Sequence, residues 1–233
     1  MNENQKIIGM HYLKGWIRQM SESNVLTSIV EGVLEDLEKR RVPITRLNEQ
    51  LGSAPDLRGA HKSLSKPGMR LIAEIKRSSP SKGALAPIVD PALLASRYEK
   101  GGASAISVLT ERRRFGGSLE DLDAVRKVVN LPILRKDFMV DQYQFLEARA
   151  HGADLVLLIV AALSKNQLAD YLALTRELGM HAIVEVHTPA ELDIALDNPC
   201  EFIGVNSRNL KTLEVDPVAF KELLPQIPTD VIR

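Results

Sequence analysis

Apolar and polar residues follow two rhythms along this chain, and the change between them falls near residue 70. From about residue 24 to 40, Val25, Leu26, Ile29, Val30, Val33, Leu34 and Leu37 recur at helical spacing with Glu31, Glu35, Asp36 and Lys39 between them, which predicts an amphipathic helix. Pro43 ends that pattern, and a shorter helix is expected from Ile44 to Leu51 before a mixed segment that runs to Gly68. The first 22 residues, with the lone Trp16, carry no assignable periodicity. From Leu71 onward, short β-rich runs each precede a helical stretch. Strands are predicted near 71–76, 104–109, 132–136, 154–159, 181–186 and 202–206. Helices are predicted between them over Pro91 to Lys100, Leu119 to Val129, Gln142 to His151, Lys165 to Leu178 and Pro189 to Asp197. Gly101, Gly102, Gly152 and Gly179 stand where those helices should stop.

Strands alternating with helices define an α/β protein with parallel strands covered by helices, either an open doubly wound sheet or a (β/α)₈ barrel. No Gly-x-Gly-x-x-Gly follows the first strand and no Gly-x-x-x-x-Gly-Lys-Ser/Thr occurs, so the nucleotide fingerprints of open sheets are missing and a barrel is favoured. The expected organisation is an N-terminal helical extension over 1–68 and a barrel from 69 to 233. Composition narrows the function. Lys plus Arg and Asp plus Glu stand at 30 each, which gives no whole-chain signal for nucleic acid or an anionic membrane and points to a small molecule as partner. Cys200 is the one cysteine, which excludes an internal disulfide or a thiolate metal cage. It also fits a reducing compartment. No apolar run approaches the roughly 20 residues that cross a bilayer, and a cytoplasmic protein is expected. His11, His61, His151, His181 and His187 form no metal-ligand pattern, and no metal is expected.

Side chains alternate along a strand, so Ile72, Glu74 and Lys76 share one face of the first strand and Ala73 and Ile75 the other. The third strand repeats the arrangement with Leu134, Lys136 and Phe138, the fifth ends with Glu185 and His187, and the sixth with Asn206 and Arg208. Taken singly, each is most simply a solvated strand-end charge or half of an ion pair. Charges at the same end of successive strands call for a common explanation, because burying them is costly unless they pair. Barrel enzymes build their sites from the C-terminal ends of several strands, which supplies that explanation.

These residues also lie in six ordered motifs. Ile72-Ala73-Glu74-Ile75-Lys76-Arg77-Ser78-Ser79-Pro80-Ser81-Lys82-Gly83 resembles the first-strand signature of the indole-3-glycerol-phosphate synthase family. Ser107-Val108-Leu109-Thr110-Glu111 with Phe115-Gly116-Gly117-Ser118 is similar to the second unit, and Leu134-Arg135-Lys136-Asp137-Phe138 to the third. The series continues through Gly152-Ala153-Asp154 with Leu157-Leu158-Ile159, then Val184-Glu185-Val186-His187, then Gly204-Val205-Asn206-Ser207-Arg208-Asn209-Leu210. The resemblance implies a lyase of tryptophan biosynthesis that closes the ring of 1-(2-carboxyphenylamino)-1-deoxyribulose 5-phosphate, releasing carbon dioxide and water, with no cofactor. It implies Lys136 as general acid, Lys76 as anion ligand and second acid, and Glu185 and Glu74 as base or electrostatic partners. It further implies substrate contacts from Ser79, Ser107, Asn206 and Arg208, and an apolar slot from Phe115, Phe138, Leu157, Ile159 and Leu210. Without the resemblance, those five apolar residues are most simply core.

The family's strand-seven Glu-Ser-Gly motif and strand-eight glycine turn are absent, and residues 228–233 read as the start of strand seven. The expectation is therefore a barrel incomplete after that point, with little stability or activity on its own. Two competing readings remain at this stage: a barrel aldolase forming a Schiff base on Lys136 or Lys76, and an inactive binding or scaffold remnant of the same family. Oligomeric state is not readable from the sequence.

Overall fold

The computed structural model describes residues 24–233; the unassigned N-terminal stretch with Trp16 lies outside them. Three helices come first: α1 (Val25–Arg40), α2 (Ile44–Gly52) and α3 (Ala60–Leu64). Strands and helices then alternate as β1 (Ile72–Ile75), α4 (Pro91–Lys100), β2 (Ala105–Leu109), α5 (Leu119–Val128), β3 (Ile133–Lys136) and α6 (Gln142–Ala150). The series continues with β4 (Leu155–Ile159), α7 (Lys165–Glu177), β5 (His181–Val186), α8 (Pro189–Leu196), β6 (Phe202–Val205) and α9 (Ala219–Leu223). The six strands form one parallel sheet in chain order, curled as an incomplete (β/α)₈ barrel. Ile232 pairs in parallel with Phe202, so the start of a further strand lies beside β6.

Five of the helices that follow strands start on a polar N-cap whose side chain accepts a backbone N–H, which satisfies a donor the helix itself leaves unpaired. Asp90, Ser118, Asp141, Ser164 and Thr188 serve α4 to α8, and Asp141 and Ser164 complete capping boxes with Gln144 and Gln167. Gly102, Gly152 and Gly179 take positive φ just past helix ends. The predicted helices and strands agree with the observed ones to within a residue at each end. The sequence did not reveal α3, α9 or the antiparallel pair Ser78–Ser79 with Gly83–Ala84. Runs of two to five residues are too short to display a period.

Strand alternation divides the interior into two layers. Ala73, Ile75, Ile106, Val108, Ile133, Val156, Leu158 and Val184 face outward and pack on α4 to α8 through Ala95, Leu122, Phe145, Leu168 and Leu192. Ile72, Ala105, Leu134, Leu155, Leu157, Ile159, Ile183 and Phe202 face inward. The N-terminal helices clasp this body from end to end. α1 packs Leu26, Ile29, Val30 and Val33 against the inward layer, and α2 lies on α6 through Leu47 and Tyr143. α3 reaches the opposite end, where Ser63 Oγ donates to the Ser104 carbonyl at 2.7 Å.

Two buried ionic clusters fasten the clasp. Arg135, on the outward face of β3, is fully buried and donates to Asp137 at 3.1 Å, to the Gln144 carbonyl at 3.0 Å and to Thr110 Oγ1 at 3.1 Å. It also pairs with Glu147 of α6 at 2.9 Å, and Arg40 of α1 binds Glu147 with two hydrogen bonds of 3.0 and 3.1 Å. Burial works to raise the Glu147 carboxyl, but the Arg135 and Arg40 cations outweigh it and hold Glu147 below the usual carboxylate range. At the other end, Asp154 accepts from the Arg58 N–H at 2.6 Å, Arg126 at 2.8 Å and the Ile133 N–H at 2.8 Å. Here burial prevails and the Asp154 carboxyl is pushed up despite those donors.

Removing one member of a buried pair leaves the other charge uncompensated. Glu147→Gln is expected to lower the free energy of unfolding by about 3 kcal/mol at neutral pH, measured by urea titration. Because the folded carboxyl sits below an unfolded value of about 4.3, its stabilisation is fully present above that pH and is lost as pH falls through the folded value. The gap between variant and parent is therefore expected to close under acid conditions.

Candidate active site

The inward face that is apolar through the middle of the barrel becomes charged at the C-terminal ends of its strands. Lys76 follows the last residue of β1, Lys136 ends β3, Glu185 lies near the end of β5, and Asn206 follows β6. These four, with Arg208, line one cavity of about 490 Å³. Asn206 Nδ2 donates to Glu185 Oε1 at 3.0 Å, and Glu185 Oε2 lies 3.4 Å from Lys136 Nζ. Lys76 pairs in turn with Glu74, two residues earlier on the same face. Lys76 and Lys136 therefore each carry a glutamate.

The apolar part of the wall comes from Phe115, Phe138, Leu157, Ile159 and Leu210, joined by Ile29 from α1 and by Leu213. Phe115 and Phe138 have their ring centroids 6.1 Å apart and are tilted by 42°. Ser79 also lines the cavity, beside Pro80 and Lys82. Two of the residues expected from the sequence do not line it. Glu74 reaches the space through Lys76, and Ser107 is buried with its hydroxyl unpartnered, in register with Glu74 and Leu134 on its two neighbouring strands. The pleat explains Ser107: it shares the inward face with Leu109 but lies two residues deeper, and Leu109 is the residue that reaches the cavity.

Several residues that shape the site were not singled out from the sequence. Asp137 lines the cavity and accepts from Arg135, Thr110 Oγ1 at 2.6 Å and the Phe138 N–H at 2.9 Å. Glu111, buried after β2, accepts the backbone N–H groups of Arg113, Arg114 and Phe115 at 3.0, 2.7 and 2.9 Å. Its carboxylate thus sets the turn that delivers Phe115. Gly117 closes the same turn, and a Cβ there would overlap the Leu109 carbonyl. Arg208 donates from its backbone to Asn206 Oδ1 at 2.9 Å and from its guanidinium to the Leu213 carbonyl at 2.7 Å. Leu213 has φ 65°, the one non-glycine residue with positive φ among those described. Such a conformation costs about 1 kcal/mol or more and persists where surrounding bonds enforce it.

A smaller cavity of about 90 Å³ adjoins the main one behind Glu185 and Asn206 and is lined also by His187, Thr188 and Glu191. Among the described residues, no group of three or more His, Cys, Asp or Glu side chains is arranged to hold a metal ion. No helix among them is long and apolar enough to cross a membrane. Burial pushes the Cys200 thiol up to about 11, which keeps it protonated at neutral pH and unsuited to nucleophilic work.

Comparison with known proteins agrees with the geometry. The family profile described as indole-3-glycerol phosphate synthase matches residues 26–233. An indole-3-glycerol phosphate synthase of Micrococcus luteus is 58% identical over 217 residues, covering 90% of this chain and 81% of that protein. Those of Mycobacterium sp. (strain KMS) and Rhodococcus jostii (strain RHA1) are each 55% identical, covering 79% and 78% of their lengths. These relatives bear the synthase name, which sets aside the Schiff-base aldolase that the residues alone allowed. The chain belongs to the indole-3-glycerol phosphate synthase family.

Proposed function

We propose that the chain closes the indole ring of 1-(2-carboxyphenylamino)-1-deoxyribulose 5-phosphate, with the acid and base work divided between its two lysine–glutamate pairs. The observation that carries this reading is the Lys136–Glu185–Asn206 chain at the wall of a cavity whose other side is an aromatic and aliphatic slot. The substrate's aryl ring fits the slot formed by Phe115, Phe138 and Leu157, and the Arg208 guanidinium suits its carboxylate. As the ring carbon bonds to the ketone carbon, negative charge grows on the ketone oxygen. Lys136 is the cation on β3 placed to protonate that oxygen, with Glu185 holding its ammonium group in line.

Carbon dioxide then leaves, and aromaticity is restored by loss of the remaining hydroxyl as water together with a proton. That step requires a second acid and a base. Lys76, held by Glu74, suits the acid role and the binding of substrate anions, and Glu185 suits the base role once Lys136 has given up its proton. Glu74 acts through Lys76, since it does not itself line the cavity.

Steady-state turnover followed by the fluorescence of the indole product tests this division. Lys136→Met, which keeps an unbranched apolar stem one atom shorter and removes the acid, is expected to lower kcat by about 10² to 10⁴ with a much smaller change in KM. A kcat close to the parent's would overturn the assignment. The loop carrying Phe115 gives an independent check. Glu111→Ala strips three backbone N–H groups of their acceptor and is expected to cost about 2 kcal/mol of stability. It is also expected to raise KM by loosening the aromatic wall, measured by thermal unfolding alongside the same kinetic assay.

A further inference from the structure

His187 follows the last residue of β5 and lies outside the main cavity, against the smaller one. Its Nδ1 lies 2.7 Å from the backbone carbonyl of Asn206. A carbonyl only accepts, so Nδ1 carries the hydrogen. The His187 backbone N–H donates to Glu191 at 2.7 Å, and Glu191 occupies the first turn of α8 behind the Thr188 cap. The ring is thus tied by its own backbone to the start of a helix.

Asn206 stands where the β5–β6 ladder ends, and all four of its polar groups are engaged. Its N–H donates to the Val186 carbonyl at 2.8 Å, and its carbonyl takes the His187 hydrogen. Its side chain donates to Glu185 and accepts from the Arg208 N–H. Without the histidine, the peptide between Asn206 and Ser207 has no partner holding its oxygen, and the residue that orients Glu185 gains freedom to rotate. The geometry points to His187 as a positioning residue: it pins the Asn206 peptide so that Asn206 can orient Glu185, and Glu185 can orient Lys136. This rests on the roles proposed above for Glu185 and Lys136.

The atoms supply a sharp test. In a neighbouring rotamer an asparagine amide nitrogen falls near histidine Nδ1, whereas a glutamine nitrogen falls nearer Nε2, so the two amides separate which ring atom matters. The inference predicts that His187→Ala and His187→Gln lower kcat about tenfold with KM within about twofold, the scale of one lost hydrogen bond. His187→Asn is expected to stay within about threefold of the parent. Because the histidine acts through Asn206, its alanine substitution should have little further effect on kcat in an Asn206→Ala background.

Equal losses in the Asn and Gln variants that track their melting temperatures would show a purely structural role and overturn the inference. So would a rise in KM without a fall in kcat, which would mark a binding group instead. Glu185→Gln, assayed in parallel, separates the two levels. If it leaves kcat unchanged, the underlying division of roles fails. If it lowers kcat while His187→Ala does not, only the positioning role fails.

Discussion

Placement of the charged mouth depends on how one buried cation is satisfied. Arg135 and Lys136 are neighbours on β3, and the pleat sends them to opposite faces, the first into the helix layer and the second into the cavity. A guanidinium cut off from water is costly unless it is paired and hydrogen-bonded, and Asp137, Thr110, the Gln144 carbonyl and Glu147 surround it. Asp137 and Arg135 therefore bracket Lys136 on both sides in sequence, and each is fixed by partners on other elements. Slipping β3 by one residue would exchange the two cations, leaving Arg135 in the cavity and Lys136 among the outer helices without the planar fork those acceptors fit.

The same cluster explains why the N-terminal helices belong to the barrel. Arg40 reaches Glu147 from α1, while Arg58 and Ser63 bind the opposite end of the strands. Connection at both ends lets α1 place Ile29 in the cavity wall as a fixed feature. Only one of the two ionic clusters is remote from the cavity: Asp154 and its arginines sit where the strands begin, whereas Arg135 and its partners sit where they end, beside the lysine–glutamate pairs.

Strands, major helices and the inward face were legible in the sequence because each is written as a period, two for Glu74 and Lys76 on β1 and near four for Leu26, Ile29, Val30 and Val33 on α1. Convergence of Lys76, Lys136, Glu185, Asn206 and Arg208 followed from one rule about where barrel enzymes keep their sites. Depth was less legible, and Ser107 shows why: alternation gives the face on which a side chain points but not whether it reaches the rim. Loop work was hidden as well. Glu111, His187 and Leu213 engage backbone groups, and Asp137 the side chains of Arg135 and Thr110, all brought together by folding, and no spacing in the chain announces a carboxylate that will collect three N–H groups or a leucine held at positive φ.

Pairing Lys76 and Lys136 with glutamates affects how ligands arrive and depart. Among the described residues, the cavity's lysines at positions 76 and 136 are internally neutralised, and Asp137 is matched by Arg135. Arg208 and Lys82 are the lining cations without a carboxylate in an ion pair. The attraction felt by an incoming anion is therefore concentrated at Arg208 and the rim. A reaction that discharges a carboxylate as neutral gas cancels part of that attraction when the chemistry is done, so the pocket holds what enters more firmly than what remains.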